Sequence, residues 1–234
     1  MSGHSKWATT KRHKAVVDAK RSNLFTKLAR AITVAVRSGK NLDIAVDAAR
    51  RASMPKENIQ KAIDRGTGKI AGAEIISTTY EAYGPEGIGI IIEVLTDNKN
   101  RAVAEIKSTL NKLNGKLASF GAVSYLFDER GVLEIDKHSQ SLSGEDLEMI
   151  IIESGAKDYE IEDELIYVYT LPKQLSEVKK NLEFKSIKID VAKLQMYPKD
   201  YIKIEEGKKE AVIKLLEALE DLEDVNEIYA NANL

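Results

Sequence analysis

The sequence predicts an α+β multidomain protein: an N-terminal three-helix domain followed by two ferredoxin-like α/β domains, one inserted in the other. Three observations carry this. Apolar residues recur at helical spacing as far as Gly66. Beyond it, short β-rich runs alternate with helical patterns. Charge divides at nearly the same place: residues 1–72 carry a net +11 and the remainder −13, within a total of −2.

Residues 1–21 form a basic arm around Trp7, the one tryptophan. The first helix is marked by Phe25, Leu28, Ala29, Ile32 and Val36, with Ser22 or Asn23 as its cap and Gly39 as its stop. A second helix follows Asn41 and turns Ile44, Ala45, Ala48, Ala49 and Ala52 inward. A third runs from Pro55 to Gly66 on the stripe Ile59, Ala62 and Ile63. Residues 66–79 read as a linker, so 22–79 is a helical domain with its linker.

The period then changes. Strands are expected at 88–95, 122–127, 132–136, 156–161, 164–170, 186–192, about 194–204 and 225–230. A turn is expected at 128–131. Helices are expected at 99–114, 144–153, 172–184 and 207–221. The six middle elements, residues 131–192, make one split βαβ unit. Residues 80–130 and 193–234 would together make the second. A single larger sheet fits the same pattern.

Composition narrows the chemistry. With 0 cysteines there is no disulfide framework, thiolate metal site or cysteine nucleophile. At 43% hydrophobic and 31% charged residues the chain is globular rather than disordered. No apolar run approaches the roughly 18 residues of a membrane helix. The start has no apolar signal region, so a cytoplasmic location is expected, with no membrane partner.

Catalytic readings fail on spacing. Gly66-Thr67-Gly68-Lys69 resembles the end of a P-loop, but Ile63 stands where its first glycine belongs and Ile70 where it needs Ser or Thr. These glycines also follow a helix, against a dinucleotide fingerprint. His4, His13 and His138 have no metal-ligand spacing. Asp136, His138 and Ser139 are too close in sequence to converge as a triad. The expectation is a non-enzymatic protein with no cofactor, no metal and no small-molecule substrate.

The basic module points to nucleic acid. Residues 1–40 hold ten Lys or Arg against one acid, Asp18, whereas solvated faces mix both signs. In the arm, Lys6, Lys11, Arg12, Lys14, Lys20 and Arg21 surround Trp7. If the arm is helical, Trp7, Lys11 and Lys14 share a face. The cations neutralise phosphates, and the indole either stacks on an unpaired base or packs on the helical domain. Lys27, Arg30 and Arg37 extend the charge along the first helix, and Arg50, Arg51, Lys56, Lys61 and Arg65 along the next two. The third helix is a candidate recognition helix. Lys99 and Arg101, beside Asp97 and Asn98 at a strand-to-helix turn, form either a phosphate contact or a plain capped turn. Residues 145–164 carry a net −8, an acidic surface that repels nucleic acid.

Several strings resemble one family. They include Gly3-His4-Ser5-Lys6-Trp7, Phe25-Thr26-Lys27-Leu28, Met54-Pro55-Lys56-Glu57-Asn58-Ile59, Arg65-Gly66-Thr67-Gly68, Tyr83-Gly84-Pro85, Val123-Ser124-Tyr125-Leu126-Phe127 and Tyr229-Ala230-Asn231. These look like the YebC/PmpR family along the whole chain. The resemblance implies a helical domain followed by two α/β domains. It also implies a cytoplasmic DNA-binding transcriptional regulator, or a translational activator at the ribosome. Residues 38–44 are shorter than the family's usual glycine-rich loop and lack its Asn-Pro. The expected function is therefore transcriptional regulation through DNA binding by the N-terminal domain. The alternative is a ribosome-associated translation factor that binds ribosomal or transfer RNA.

Overall fold

The computed structural model describes residues 18–140, 142, 144–162 and 164–234, with side chains from Ser22 onward at its N-terminal end. Helix α1 spans Asp18–Ser38, α2 Leu42–Arg51 and α3 Lys56–Gly66. Helix α1 is already formed at Asp18, so Ser22 and Asn23 lie inside it and do not cap it. The Ala/Lys/Arg-rich residues before them are good helix formers and offer no stop. Gly39 does end the helix, at φ 67°.

Small residues let the three helices close on one another. Ile32, Ala49, Met54, Ile59 and Ala62 form the buried centre. The Thr33 hydroxyl, also buried, donates to the Ala29 and Ala62 carbonyls and so joins α1 to α3. Gly66 marks a close approach of α1 and α3: a Cβ there would stand 2.6 Å from Val36 Cβ and 2.9 Å from the Thr33 carbonyl oxygen.

The described chain folds as two compact units. One contains the residues up to Phe127 together with Pro198–Leu234, the other Asp128–Tyr197. The first holds the three helices and an α/β layer built from β1 (Ile76–Tyr83), β2 (Gly89–Thr96), α4 (Lys99–Lys112) and β3 (Lys116–Ala118). It is completed by α7 (Glu206–Glu220) and β9 (Val225–Ala230). The sheet order is β3-β1-β2-β9, antiparallel at each pairing, with Tyr80 opposite Ile92 and Ile92 opposite Ile228. One face buries Ile90, Ile92 and Val94 against Ile106 and Leu110 of α4 and Val212, Leu215 and Leu219 of α7. Each such side chain contributes about 1.5–3 kcal/mol of burial. Helix α1 packs on β2 and β9. Two short strands, β8 (Ile202–Lys203) and β10 (Ala232–Asn233), pair in parallel.

The second unit carries β4 (Phe127–Asp136), α5 (Glu145–Glu153), β5 (Asp158–Ile161), β6 (Leu165–Thr170), α6 (Leu175–Phe184) and β7 (Val191–Pro198). Its strand order β5-β6-β4-β7 is that of a split βαβ sheet. Arg130 lies 4.3 Å from the Tyr197 ring centroid, and Tyr197 meets Tyr169 edge-on. Burial pushes the Tyr169 hydroxyl far above its usual range.

Four expectations change. The segment read as a linker contains the start of β1, whose Ile76, Thr78, Tyr80 and Ala82 alternate inward. The preceding glycines masked that period. Residues 124–126 form a helical turn instead of a strand, because the Val123 and Ser124 N–H groups are given to the Glu81 carboxylate. Residues 128–131 are continuous strand: Gly131 faces Thr170, where a Cβ would strike the threonine hydroxyl, so this glycine marks a close approach of two strands. The two strands expected over 186–204 become β7 and the short β8, since Ser186 turns at φ 66°.

Candidate nucleic-acid interface

Lys6, Trp7, Lys11, Arg12 and Lys14 lie outside the described residues, as do the side chains of Lys20 and Arg21 in the first turn of α1. The remaining cations of α1 divide into two groups.

Lys27 and Arg30 face the corner between α7 and β9. The Lys27 ammonium donates to the Glu220 carbonyl. The Arg30 guanidinium donates to Asp224 Oδ1 at 2.9 Å, to the Glu223 carbonyl at 2.8 Å and to Glu223 Oε1 at 2.7 Å. Asn23 adds a hydrogen bond to the Asp221 carbonyl. Asp224 is only 3% exposed, and Arg101 bonds both of its carboxylate oxygens, at 2.8 Å to Oδ2 and 3.0 Å to Oδ1. Arg101 also bonds Asp97 at 2.9 Å. Its hydrogen bonds to Asp224 and then Asp97 raise its pKa further. One buried carboxylate is thus shared by two arginines, one from the helical domain and one from α4. Such a charge is tolerable in the interior because it is fully paired.

Asn98 caps α4, its Oδ1 accepting from the Arg101 N–H. Lys99 is exposed in the same turn. The structure therefore gives the Arg101 guanidinium to Asp224 and Asp97 and leaves Lys99 at the surface.

Arg37 lines a groove that Arg30 also borders, but it lacks the acidic partners that hold the Arg30 guanidinium. Helices α1 and α3 and residues 70–75 enclose a groove of about 550 Å³. Arg37 comes from the last turn of α1, Arg65 from the last turn of α3, and Lys61 from one turn earlier. All three are exposed and make no side-chain hydrogen bond or ion pair with any described residue. The negative ends of both helix dipoles favour cations at these positions. Phe25, Ala29, Met54, Ala62 and Ile70 supply an apolar lining, with Ser22, Thr26 and Asn58 as polar groups and Asp97 as the one acid. Arg50, Arg51 and Lys56 are exposed but do not line this groove. Sequence reasoning had the cations but not their separation into tethered and open sets. The tethering partners were signalled by the acidic cluster Glu220, Asp221, Glu223 and Asp224, opposite in sign to α1.

Glu81 was also missed. It is 4% exposed and accepts N–H groups from Gly121, Val123 and Ser124 at 2.6–3.0 Å. Burial alone would raise its pKa, but these donors outweigh it and hold the carboxyl below its usual 4.5. The pinned loop presents Phe120 and Tyr125 to solvent.

Residues 5–69 match the family model described as the TACO1/YebC N-terminal domain, and residues 75–232 match that of the TACO1/YebC second and third domains. The chain belongs to the TACO1/YebC family. A crystal structure of a conserved hypothetical protein from Aquifex aeolicus is similar over 97% of this chain and 96% of that one, with 39% identity and a TM-score of 0.86. A Chlorobaculum parvum relative is 43% identical over 100% of this chain and 96% of its own length. A Thermotoga maritima relative is 43% identical over 99% and 93%. Both are named "Probable transcriptional regulatory protein". In this TACO1/YebC chain no described helix is long and apolar enough to cross a membrane.

Proposed function

We propose that this TACO1/YebC protein is a cytoplasmic, non-enzymatic regulator of gene expression that binds nucleic acid through its basic helical domain. The carrying observation is the convergence of Arg37, Lys61 and Arg65 on one groove with no described partner for their charges. Lys6, Lys11, Arg12, Lys14, Lys20 and Arg21 add positive charge to the same module for phosphates, and Trp7 adds a ring for an unpaired base. Lys99 is a further phosphate contact. In this reading residues 22–79 engage the polyanion, while residues 80–130 with 193–234 and the inserted 131–192 form its acidic body.

The names of the relatives support DNA as the target and transcription as the process regulated. A second reading, a ribosome-associated factor on ribosomal or transfer RNA, is favoured by the groove itself. Residues 70–75 wall the side of α3 that faces it, and its volume suits a nucleotide better than a duplex. Any strongly basic module binds duplex DNA nonspecifically, so ordinary DNA binding does not separate the two. The test is the ratio of operator to random DNA affinity at physiological salt, measured beside ribosome co-sedimentation. A DNA regulator gives a ratio of at least ~10³ and no co-sedimentation. A ribosome factor gives little DNA preference and co-sediments, and Trp7→Ala with Lys11→Ala abolishes that association.

A further inference from the structure

We propose that the α1–α3 groove is a cleft for one unpaired RNA nucleotide: base against the apolar lining, phosphates on the cationic rim, ribose at the acidic end. This rests on the nucleic-acid reading above and specifies the ligand of the same site.

Three features of the groove support that occupant. Its volume, about 550 Å³, lies in the range of small-ligand clefts and admits a nucleotide, whereas a duplex cannot enter. Its lining is chemically mixed. Phe25, Met54 and Ile70 give apolar surface, and Ile70 remains 39% exposed beside it. An unstacked base gains from such surface, since every base has an apolar face. The rim cations Arg37, Lys61 and Arg65 suit the phosphates on either side of that base.

The third feature is Asp97. An acid in a groove built only for phosphate would oppose binding. Asp97 already accepts one Arg101 N–H through Oδ1, and a carboxylate has further lone pairs. A ribose 2′-hydroxyl donates to such a group, and Asn58 stands in the same lining. The 2′-hydroxyl is the group by which a protein distinguishes RNA from DNA at one site. This commits the cleft to RNA.

The experiment uses the full chain and labelled oligonucleotides of about ten nucleotides, a length typical of single-strand sites. Single-stranded RNA, single-stranded DNA and duplex DNA of one sequence are compared by fluorescence anisotropy. Ala73→Trp, on the exposed segment that lines the groove, fills the cleft without changing charge. RNA affinity should fall roughly tenfold or more, the loss of one stacked base. Duplex affinity and thermal midpoint should stay unchanged. A 4-thiouridine probe should crosslink to Phe25 or Met54. If Ala73→Trp lowers the thermal midpoint, Ile70→Ser, which removes apolar lining without changing charge, replaces it and should give the same selective loss. Unchanged RNA affinity in the folded variant, or equal binding of single-stranded DNA and RNA, overturns the RNA cleft. If duplex binding still depends on Arg37, Lys61 and Arg65, the broader reading stands without the cleft. Absence of binding to all three probes removes both.

Discussion

Two stretches of one helix put the same residue type to opposite uses. Arg30, near the middle of α1, is 13% exposed at its side chain and fully occupied by Glu223 and Asp224. Arg37, two turns later, opens on a groove with no described partner. Both contribute equally to the +11 of the N-terminal module, yet one is an internal fastening and the other a surface charge. Net charge alone therefore overstates the cationic surface available to a polyanion. Both border the groove; what separates them is that an acidic helix end takes up the Arg30 guanidinium and no described acid meets that of Arg37.

The largest effect should come from removing the shared acid. Asp224→Ala leaves Arg30 and Arg101 without their buried partner. Truncating one member of a buried ion pair costs about 3–5 kcal/mol, and partial exposure of Arg101 places this case near the lower end. Urea unfolding should show a loss of about 3 kcal/mol. A change below about 0.5 kcal/mol, the range of ordinary surface substitutions, would show that the fastening is not structural.

Gly66→Ala should follow. Its Cβ meets the Thr33 backbone oxygen and the Val36 side chain, and a backbone neighbour cannot rotate away. Overpacking of this kind costs about 1–3 kcal/mol. Because α1 and α3 are then forced apart, groove binding should weaken along with the thermal midpoint.

Glu81 sharpens the comparison with a buried acid that is held by backbone N–H groups instead of guanidinium. Its folded pKa is depressed, so its contribution is fully present above the usual value of 4.5 and is lost as pH falls through the lower, folded value. Acid titration of unfolding stability should show a decline below pH 4.5 that is smaller in Glu81→Gln than in the parent. Parallel curves would mean that the loop is held by other contacts.

The smallest effect on stability belongs to the open set. Arg37→Ala, Lys61→Ala and Arg65→Ala together should change unfolding free energy by less than about 0.5 kcal/mol. On single-stranded RNA the same variant should flatten the log-affinity against log-salt slope by about 2 units, as expected for three lost phosphate contacts. A stability loss as large as that of Asp224→Ala would erase the distinction between the two groups.

Much of this fold was legible in the sequence where periodicity was strong. Ile32, Ala49, Ile59 and Ala62 announced the helical core, and Ile88 to Leu95 the central strand. A helix cap at Asp97 or Asn98 was readable from its chemistry, and the structure gives it to Asn98. What failed had a masked period or a distant partner. Thr78 and Thr79 read as linker because glycines precede them and mask the alternation that pairs them with Val94 and Glu93. Gly131 read as a turn since nothing nearby reveals Thr170 across the sheet. For the candidate site, residue type was legible and employment was not. Arg30 and Arg37 are equivalent until Asp224, 194 positions beyond Arg30, is folded against one of them.

That same separation sets an order of events during synthesis. Chains grow at about 5–20 residues per second, so roughly 10–40 s pass between the emergence of Arg30 and that of the acid that will hold it. Strand β9, which completes the sheet beneath α1, arrives in the same late interval. For most of its time on the translating machinery the helical domain is thus without its anchorage. All of its cations, including those later sequestered, face the surroundings, and final attachment waits on the last tenth of the chain.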